Sequence, residues 1–324
     1  MGVGFSNPSV CWVFSIRMVP SVKYQHIRIV FHPSSGKGLA MRRVEELEAR
    51  LEAHGIQSDR LNTAHLQGRE FGKALATADA VVVIGGDGLI HHTIQYLAGK
   101  NIPMGIIPAG SGNDTWRMYG ARSAEETIQQ VVSFLAGGAA GTPIDLLQLR
   151  FANDLPRTTL AVGAVSWGFE GQVNRRANGL PRRLGALRYI LGLLLCLPTL
   201  RAYPTEIQAQ ELEFKGSVFA ASIANIKSLG GGIKLFPHAD YADGLADIVL
   251  VKGPLLLPVL PFVGHILCGK IHRHQLSSRS AHVVVRTRQE SYADGELIGQ
   301  GDFELTVLDG ALTLIPGADN RKRA

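Results

Sequence analysis

The sequence has little cysteine, three residues in 324. Cys11, Cys196 and Cys268 lie far apart and form no CxxC pair, which argues against a disulfide framework or a cysteine zinc site and fits a reducing cytosol. Long apolar runs are missing too. The longest, Tyr189 to Leu197, falls far short of the roughly 20 residues that span a bilayer, so no membrane-crossing helix is expected. Charged residues make up only 19% against 46% apolar, a balance that argues against disorder and suits a packed chain. No GxxxxGK[ST] run occurs and no GxGxxG opens the first βα unit, which disfavours an ordinary P-loop enzyme and a dinucleotide dehydrogenase. No helix-turn-helix, zinc-finger or stacked-aromatic pattern is present, so no nucleic-acid partner is expected.

What is present suits two domains of ordinary size. The net charge of +6 and a pI near 9.3 suit nucleic acid, an anionic membrane or a phosphorylated small molecule, and composition alone does not choose among them. Met1-Gly2 with Ser6 matches the bare myristoylation pattern. The patch Val10 to Val19 is interrupted by Arg17 and lacks a cleavage site, so residues 1–24 read as an extension, with Met18 an alternative start.

Residues 26–31 form a first expected strand, ending at Pro33-Ser34-Ser35-Gly36-Lys37-Gly38. Leu39, Val44, Leu47 and Leu51 stand at helical spacing before Gly55. A second strand is expected at 56–61 and a helix at 68–77. The run AVVVIGGDG at 80–88 has the signature of a buried parallel strand feeding a phosphate-sized loop. A helix is expected over His91 to Ala98, and 104–114 repeats the strand-then-glycine pattern. This alternation predicts a parallel α/β sheet over 25–145. Beyond it, short strand-like runs at 158–165, 205–213, 217–226, 246–251, 281–287 and 303–308 predict an antiparallel β-rich domain over 146–310, interrupted by apolar helices at 184–197 and 255–270.

Three glycine turns follow three strands in the first domain. Glycine admits positive φ and lets backbone N–H groups approach a ligand, so such turns make anion cradles. Asp87 in Gly85-Gly86-Asp87-Gly88 and Asp114 after Gly112-Asn113 stand at the carboxyl ends of parallel strands, the usual ligand crevice. Carboxylates facing a polyphosphate call for a hard cation such as Mg²⁺ between them. Asp145 is a third candidate, with a turn or cap as its structural alternative.

Pro33-Ser34-Ser35-Gly36-Lys37, then Gly85-Gly86-Asp87-Gly88, then Ile107-Pro108-Ala109-Gly110-Ser111-Gly112-Asn113-Asp114 resemble the successive nucleotide-site motifs of the diacylglycerol kinase catalytic family, which includes sphingosine kinases. Asn225 with Gly230-Gly231-Gly232, Pro237-His238-Ala239-Asp240, Asp243-Gly244-Leu245-Ala246-Asp247 and Asp294-Gly295-Glu296 are similar to its later elements, in family order. The resemblance implies a fold like that of NAD kinases, with ATP on the α/β domain, a lipid acceptor on a C-terminal antiparallel β-sandwich, and a strand near 311–316 returning to the first domain. It implies that Ser35, Gly36, Thr63, the 85–91 loop including Leu89, Gly110, Ser111 and Asn113 hold nucleotide. Asp87, Asp114 and Asp145 would organise Mg²⁺, and Asp240, Asp243 and the Leu245 carbonyl a second metal. Glu296 would be the general base, with Asp87 as its rival. The implied activity is ATP-dependent phosphorylation of a diacylglycerol-type lipid by a cytoplasmic protein, peripheral at the inner face of the membrane. A homodimer is compatible with it.

The chain departs from the family at Leu89, where Thr is usual, and at His92, where Glu is usual; His32 replaces a frequent Asn. The first loses a hydroxyl and the second exchanges a carboxylate for a potential cation, which keeps a weakly catalytic lipid- or nucleotide-binding regulator open as an alternative. An NAD kinase is the other. Arg175, Arg176, Arg182, Arg183 and Arg188 precede or enter the apolar segment Leu184–Leu197, and 255–274 repeats the theme. Basic residues beside leucines suit a helix at an anionic interface, while a helix buried on the sandwich remains the other reading.

Overall fold

The computed structural model describes residues 24–66, 68–110, 112–118, 121–152, 158–184, 187–196, 201–229, 235–253 and 275–315. Ser111, the Gly230–Gly232 signature, the expected helix at 255–270 and the N-terminal extension lie outside the described residues.

The first half alternates as its periodicities predict. Strand β1 (His26–Phe31) leads through a tight turn into α1 (Leu39–Glu52), β2 (Gln57–Asn62), α2 (Gly68–Ala76), β3 (Ala80–Gly85), α3 (Asp87–Leu97) and β4 (Met104–Pro108). The four strands are parallel in the order β2-β1-β3-β4. A four-residue helix α4 (Asp114–Arg117) and α5 (Ala124–Gly137) follow; the Ser123 hydroxyl accepts from Glu126 N and caps α5. Every residue of β3 is buried because both faces of the sheet are covered. Val82 and Ile84 pack toward α1 and α5, and Val81 and Val83 toward α2 and α3. Each fully buried Val, Ile or Leu stabilises such a core by about 1.5–3 kcal/mol.

The second half is antiparallel. It comprises β5 (Thr142–Phe151), β6 (Thr158–Ala161), β7 (Ala164–Gly168), α6 (Phe169–Gly179), α7 (Leu187–Cys196), β8 (Tyr203–Ala209), β9 (Leu212–Ala224), β10 (Ala246–Lys252), β11 (Gln275–Ser280), β12 (His282–Thr287), β13 (Glu290–Ala293), β14 (Glu296–Gln300) and β15 (Phe303–Leu314). Trp167, Phe303 and Phe151 form an aromatic centre in its core. Helix α7 lies on α6 at Gly192, where a Cβ would stand 3.0 Å from the Val173 carbonyl.

Two long strands join the halves. β5 and β15 pair antiparallel from Phe151↔Phe303 to Thr142↔Leu314, with a register shift between Leu308 and Leu312. At one end β15 pairs with β12, and at the other Leu314 pairs with Met104 of β4. The expected divisions at 145 and 310 fall inside these two strands. Among the described residues, no helix is long and apolar enough to cross a membrane.

Candidate active site

The three glycine turns meet at the carboxyl ends of the parallel strands, and they meet backbone to backbone. A Cβ on Gly36 would stand 2.6 Å from the Ala109 carbonyl oxygen, and one on Gly110 would stand 2.4 Å from the Gly86 Cα. No side chain fits at either contact. Gly36, at φ 60°, also needs the left-handed conformation that glycine adopts freely. Asn113 stitches the third turn, accepting from Gly110 N and donating to Gly110 O, both at 3.0 Å. Thr63 lies beside them, its hydroxyl donating to Phe31 O at 3.2 Å. Ser35 opens the first turn, its N–H bonded to His32 O.

Asp87 opens α3 and accepts from Thr115 N at 3.0 Å and Asp114 N at 3.3 Å, so it caps α4 across the crevice. Enclosure by the loops, then the neighbouring Asp114 carboxylate, push its pKa up to about 6 against the pull of those two N–H groups. Asp114 is held by Arg117 at 3.0 Å. Two carboxylates this close, backed by an N–H cradle with no room for side chains, fit a hard cation bound with a polyphosphate.

The opposite wall is the β13–β14 hairpin. Its two-residue turn has Asp294 at φ 51° and Gly295 at φ 87°, the pair of positive angles that a tight hairpin needs. The Asp294 carboxylate is buried and accepts from Val162 N, Gly163 N and Ala164 N at 2.8–3.2 Å. It also lies 3.1 Å from His91 Nδ1 on α3, which ties the turn to the Asp87 loop. Asn178 of α6 donates to Gly295 O at 3.1 Å. So held, the turn brings Glu296 against the second glycine loop: a Cβ on Gly88 would stand 2.6 Å from Glu296 Oε1. Asp87 and Glu296, far apart in sequence, thus flank one loop.

Not every expected residue joins them. Leu89 gives its N–H to Gly86 O and lays its side chain over Gly85, so it offers no polar group to a phosphate. His92 stacks on Phe71 at 5.1 Å and meets Tyr96 at 5.5 Å. Burial, and then His91, push its pKa down, which disfavours a cation at this half-buried aromatic position. Asp145 is wholly buried at the β5–β15 joint, accepting from Gly244 N at 2.7 Å and Gly310 N at 2.9 Å. Burial and the adjacent Asp309 carboxyl raise its pKa. It braces the joint. Asp240 accepts from Ala242 N, and Asp243 accepts from Leu245 N and pairs with Arg279. Arg279 thus bridges Asp243 and Asp247. Among the described residues no cluster of three or more His, Cys, Asp or Glu forms a metal cage.

Sequence reasoning missed His91, Asp294 as the brace of Glu296, and Asn178. The Asp-Gly dipeptide between strands was the available signal for the turn; the partners of Asp294 are distant in sequence and left none.

Residues 26–149 match the diacylglycerol kinase catalytic domain, and residues 163–316 match the YegS C-terminal NAD kinase beta sandwich-like domain. A diacylglycerol kinase of Mycobacterium tuberculosis is 30% identical over 294 residues, 88% of this chain and 93% of its own. The lipid kinase YegS of Escherichia coli K12 is 26% identical over 253 residues, 76% and 79% of the two chains. A diacylglycerol kinase crystal structure from Bacillus anthracis superposes with a TM-score of 0.66 at 17% identity, covering 91% of this chain and 98% of that one. Yeast NADH kinase shares the fold more distantly, with a TM-score of 0.55 at 10% identity over 90% of this chain and 82% of that one.

Proposed function

The chain belongs to the diacylglycerol kinase catalytic family, and from that premise we propose that it transfers the γ-phosphate of ATP to the hydroxyl of a diacylglycerol-type lipid. The observation that carries this reading is the convergence of Asp87 and Glu296 on Gly88, at the mouth of three glycine loops. Residues 25–145 hold the nucleotide, and 146–310 the acceptor. Backbone N–H groups of the glycine loops, with Thr63 and the Asn113-braced turn, receive the triphosphate. Asp87 and Asp114 hold Mg²⁺, which neutralises phosphate charge when bound. Glu296 accepts the acceptor hydroxyl proton as the new P–O bond forms. Asp87, with its pKa near 6, is the rival base. Asp294, His91 and Asn178 keep the Glu296 turn in register with the loop. The chain meets its lipid at a membrane surface, and the exposed Leu187, Leu194 and Leu195 of α7 support that contact.

The test offers diacylglycerol, sphingosine, undecaprenol and NAD with labelled ATP and Mg²⁺. Label in a lipid product, lost in Glu296→Gln, supports the reading. Label in NAD alone replaces it with an NAD kinase. Turnover undiminished in Glu296→Gln would remove that residue as base.

A further inference from the structure

A second site lies at the other end of the hairpin that carries Glu296. α6, the base of β13–β14 and the segment before β8 enclose a cavity of about 870 Å³. Four arginines line it: Arg175 and Arg176 from α6, Arg201 before β8, and Arg288 before β13. Among the described residues, one carboxylate faces them, Glu290, which lies 3.5 Å from Arg175 and accepts from the Tyr292 hydroxyl at 2.9 Å. Arg201 spends its Nε–H on the Tyr203 hydroxyl, and Arg176 touches the Cys196 thiol. Among the described residues, Arg176, Arg201 and Arg288 have no carboxylate partner.

Four guanidiniums around one cavity repel one another, and a single carboxylate leaves most of that repulsion standing. A doubly charged oxyanion with several acceptor oxygens relieves it, and the planar arginine fork matches phosphate. The helix adds to this. Gly168, Gly171, Gln172 and Arg175 occupy one face of α6 at spacings of three and four. The two glycines carry no side chain, so the first turn of an 11-residue helix presents backbone to the cavity. Gly171 is also fixed by packing, since a Cβ there would press on the Tyr292 ring at 3.1 Å.

We infer that this cavity is a phosphate-binding site separate from the glycine loops. Glu290 pairs with Gln300 and Glu296 with Ala293, so the site lies roughly 10–13 Å along the hairpin from the phosphotransfer centre, at ~3.3 Å per strand residue. The phosphate belongs either to a phospholipid headgroup or to a free ion. The surroundings favour the headgroup: α7, packed on α6, exposes Leu187, Leu194 and Leu195, each about half accessible. Cationic forks beside outward leucines are what an anionic bilayer surface engages. The inference does not rest on the kinase reading, because its readouts are binding.

The test compares the full chain with Arg201→Gln/Arg288→Gln and, separately, with Leu194→Asp, all checked for native circular dichroism and melting. Sedimentation is measured with phosphatidylcholine vesicles and with vesicles containing phosphatidylglycerol; stabilisation by inorganic phosphate is measured in parallel. The expected result is at least tenfold weaker binding to the anionic vesicles for both variants, with little binding of any form to neutral ones. Phosphate stabilisation that the arginine variant loses, with no vesicle binding by the parent, supports the site and assigns it a free ion. Parent-like vesicle binding and parent-like phosphate response in Arg201→Gln/Arg288→Gln would overturn the inference. An Arg201→Lys/Arg288→Lys variant guards against misfolding, since it keeps charge and packing and recovers part of the affinity.

Discussion

Asp87 and Asp145 make an instructive pair. Each accepts two backbone N–H bonds, and each has its pKa raised by burial and a neighbouring aspartate. They differ in what those bonds hold. Asp87 binds the start of a four-residue helix across an open crevice, with Glu296 on the far side of the same loop. Asp145 lies within β5 and binds Gly244 of a loop and Gly310 at the register shift of β15, and is completely enclosed. A buried carboxylate thus stays open to a ligand only where the surrounding backbone is concave. Where the backbone closes over it, the same group becomes a brace.

The sharpest way to break this contrast is turnover. Asp87→Asn and Glu296→Gln should each lower lipid phosphorylation about 10²–10⁴-fold with melting little changed. Loss in neither would erase the distinction from the Asp87 side. Gly110→Ala comes next: its Cβ collides with Gly86 backbone, so nucleotide affinity should fall at least tenfold while circular dichroism stays native. Asp145→Ala reverses the pattern. Leaving Gly244 N and Gly310 N unpaired should destabilise by about 1–3 kcal/mol in denaturant titration, while the folded fraction retains its kcat. If kcat collapsed at unchanged stability, Asp145 would belong to the chemistry.

A smaller effect sharpens the comparison by pH. The folded pKa of Asp87, near 6, exceeds its unfolded value of 3.8, so its ionisation costs stability above pH 6 and nothing below about pH 4. The Tm of metal-free Asp87→Asn, relative to the parent, should therefore be more favourable at pH 8 than at pH 4.5; a gap independent of pH would contradict the burial of this carboxyl. Smallest is Arg279→Ala. Its half-exposed pairs with Asp243 and Asp247 are worth no more than about 1 kcal/mol, so the melting shift should be slight.

Much of the first half was legible because periodicity and glycine position act locally. β1 to β4 and the helices α1 and α2 fall within a residue or two of their expected places, while α3 begins four residues early because Gly86 and Asp87 already turn the chain into it. β5, α5 and α6 were not foreseen. β5 crosses the expected boundary at residue 145, and α6 carries Arg175, Arg176 and Asn178, whose polar pattern does not announce a packed helix. The glycine turns were visible as cradles, but their backbone contacts with one another were not, since Gly36 and Ala109 are brought together only by the sheet. The bonding of the other aspartates was hidden for the same reason. Whether Asp145 or Asp243 faces solvent, glycine N–H or Arg279 is decided by loops distant in the chain.

The long strand β15 also bears on how the molecule is made. Leu312, Leu314 and Ile315 are buried in the cores that flank β3, and Ile315 N bonds Met104 O at 2.9 Å. A ribosome releases the N-terminal half first, yet that half lacks an edge of its sheet and part of both hydrophobic layers until residue 315 emerges. The nascent half must therefore wait with an unpaired strand, exposed to wrong partners, while the whole sandwich is synthesised. Completion is postponed until residue 315 has emerged, when one segment closes both halves together.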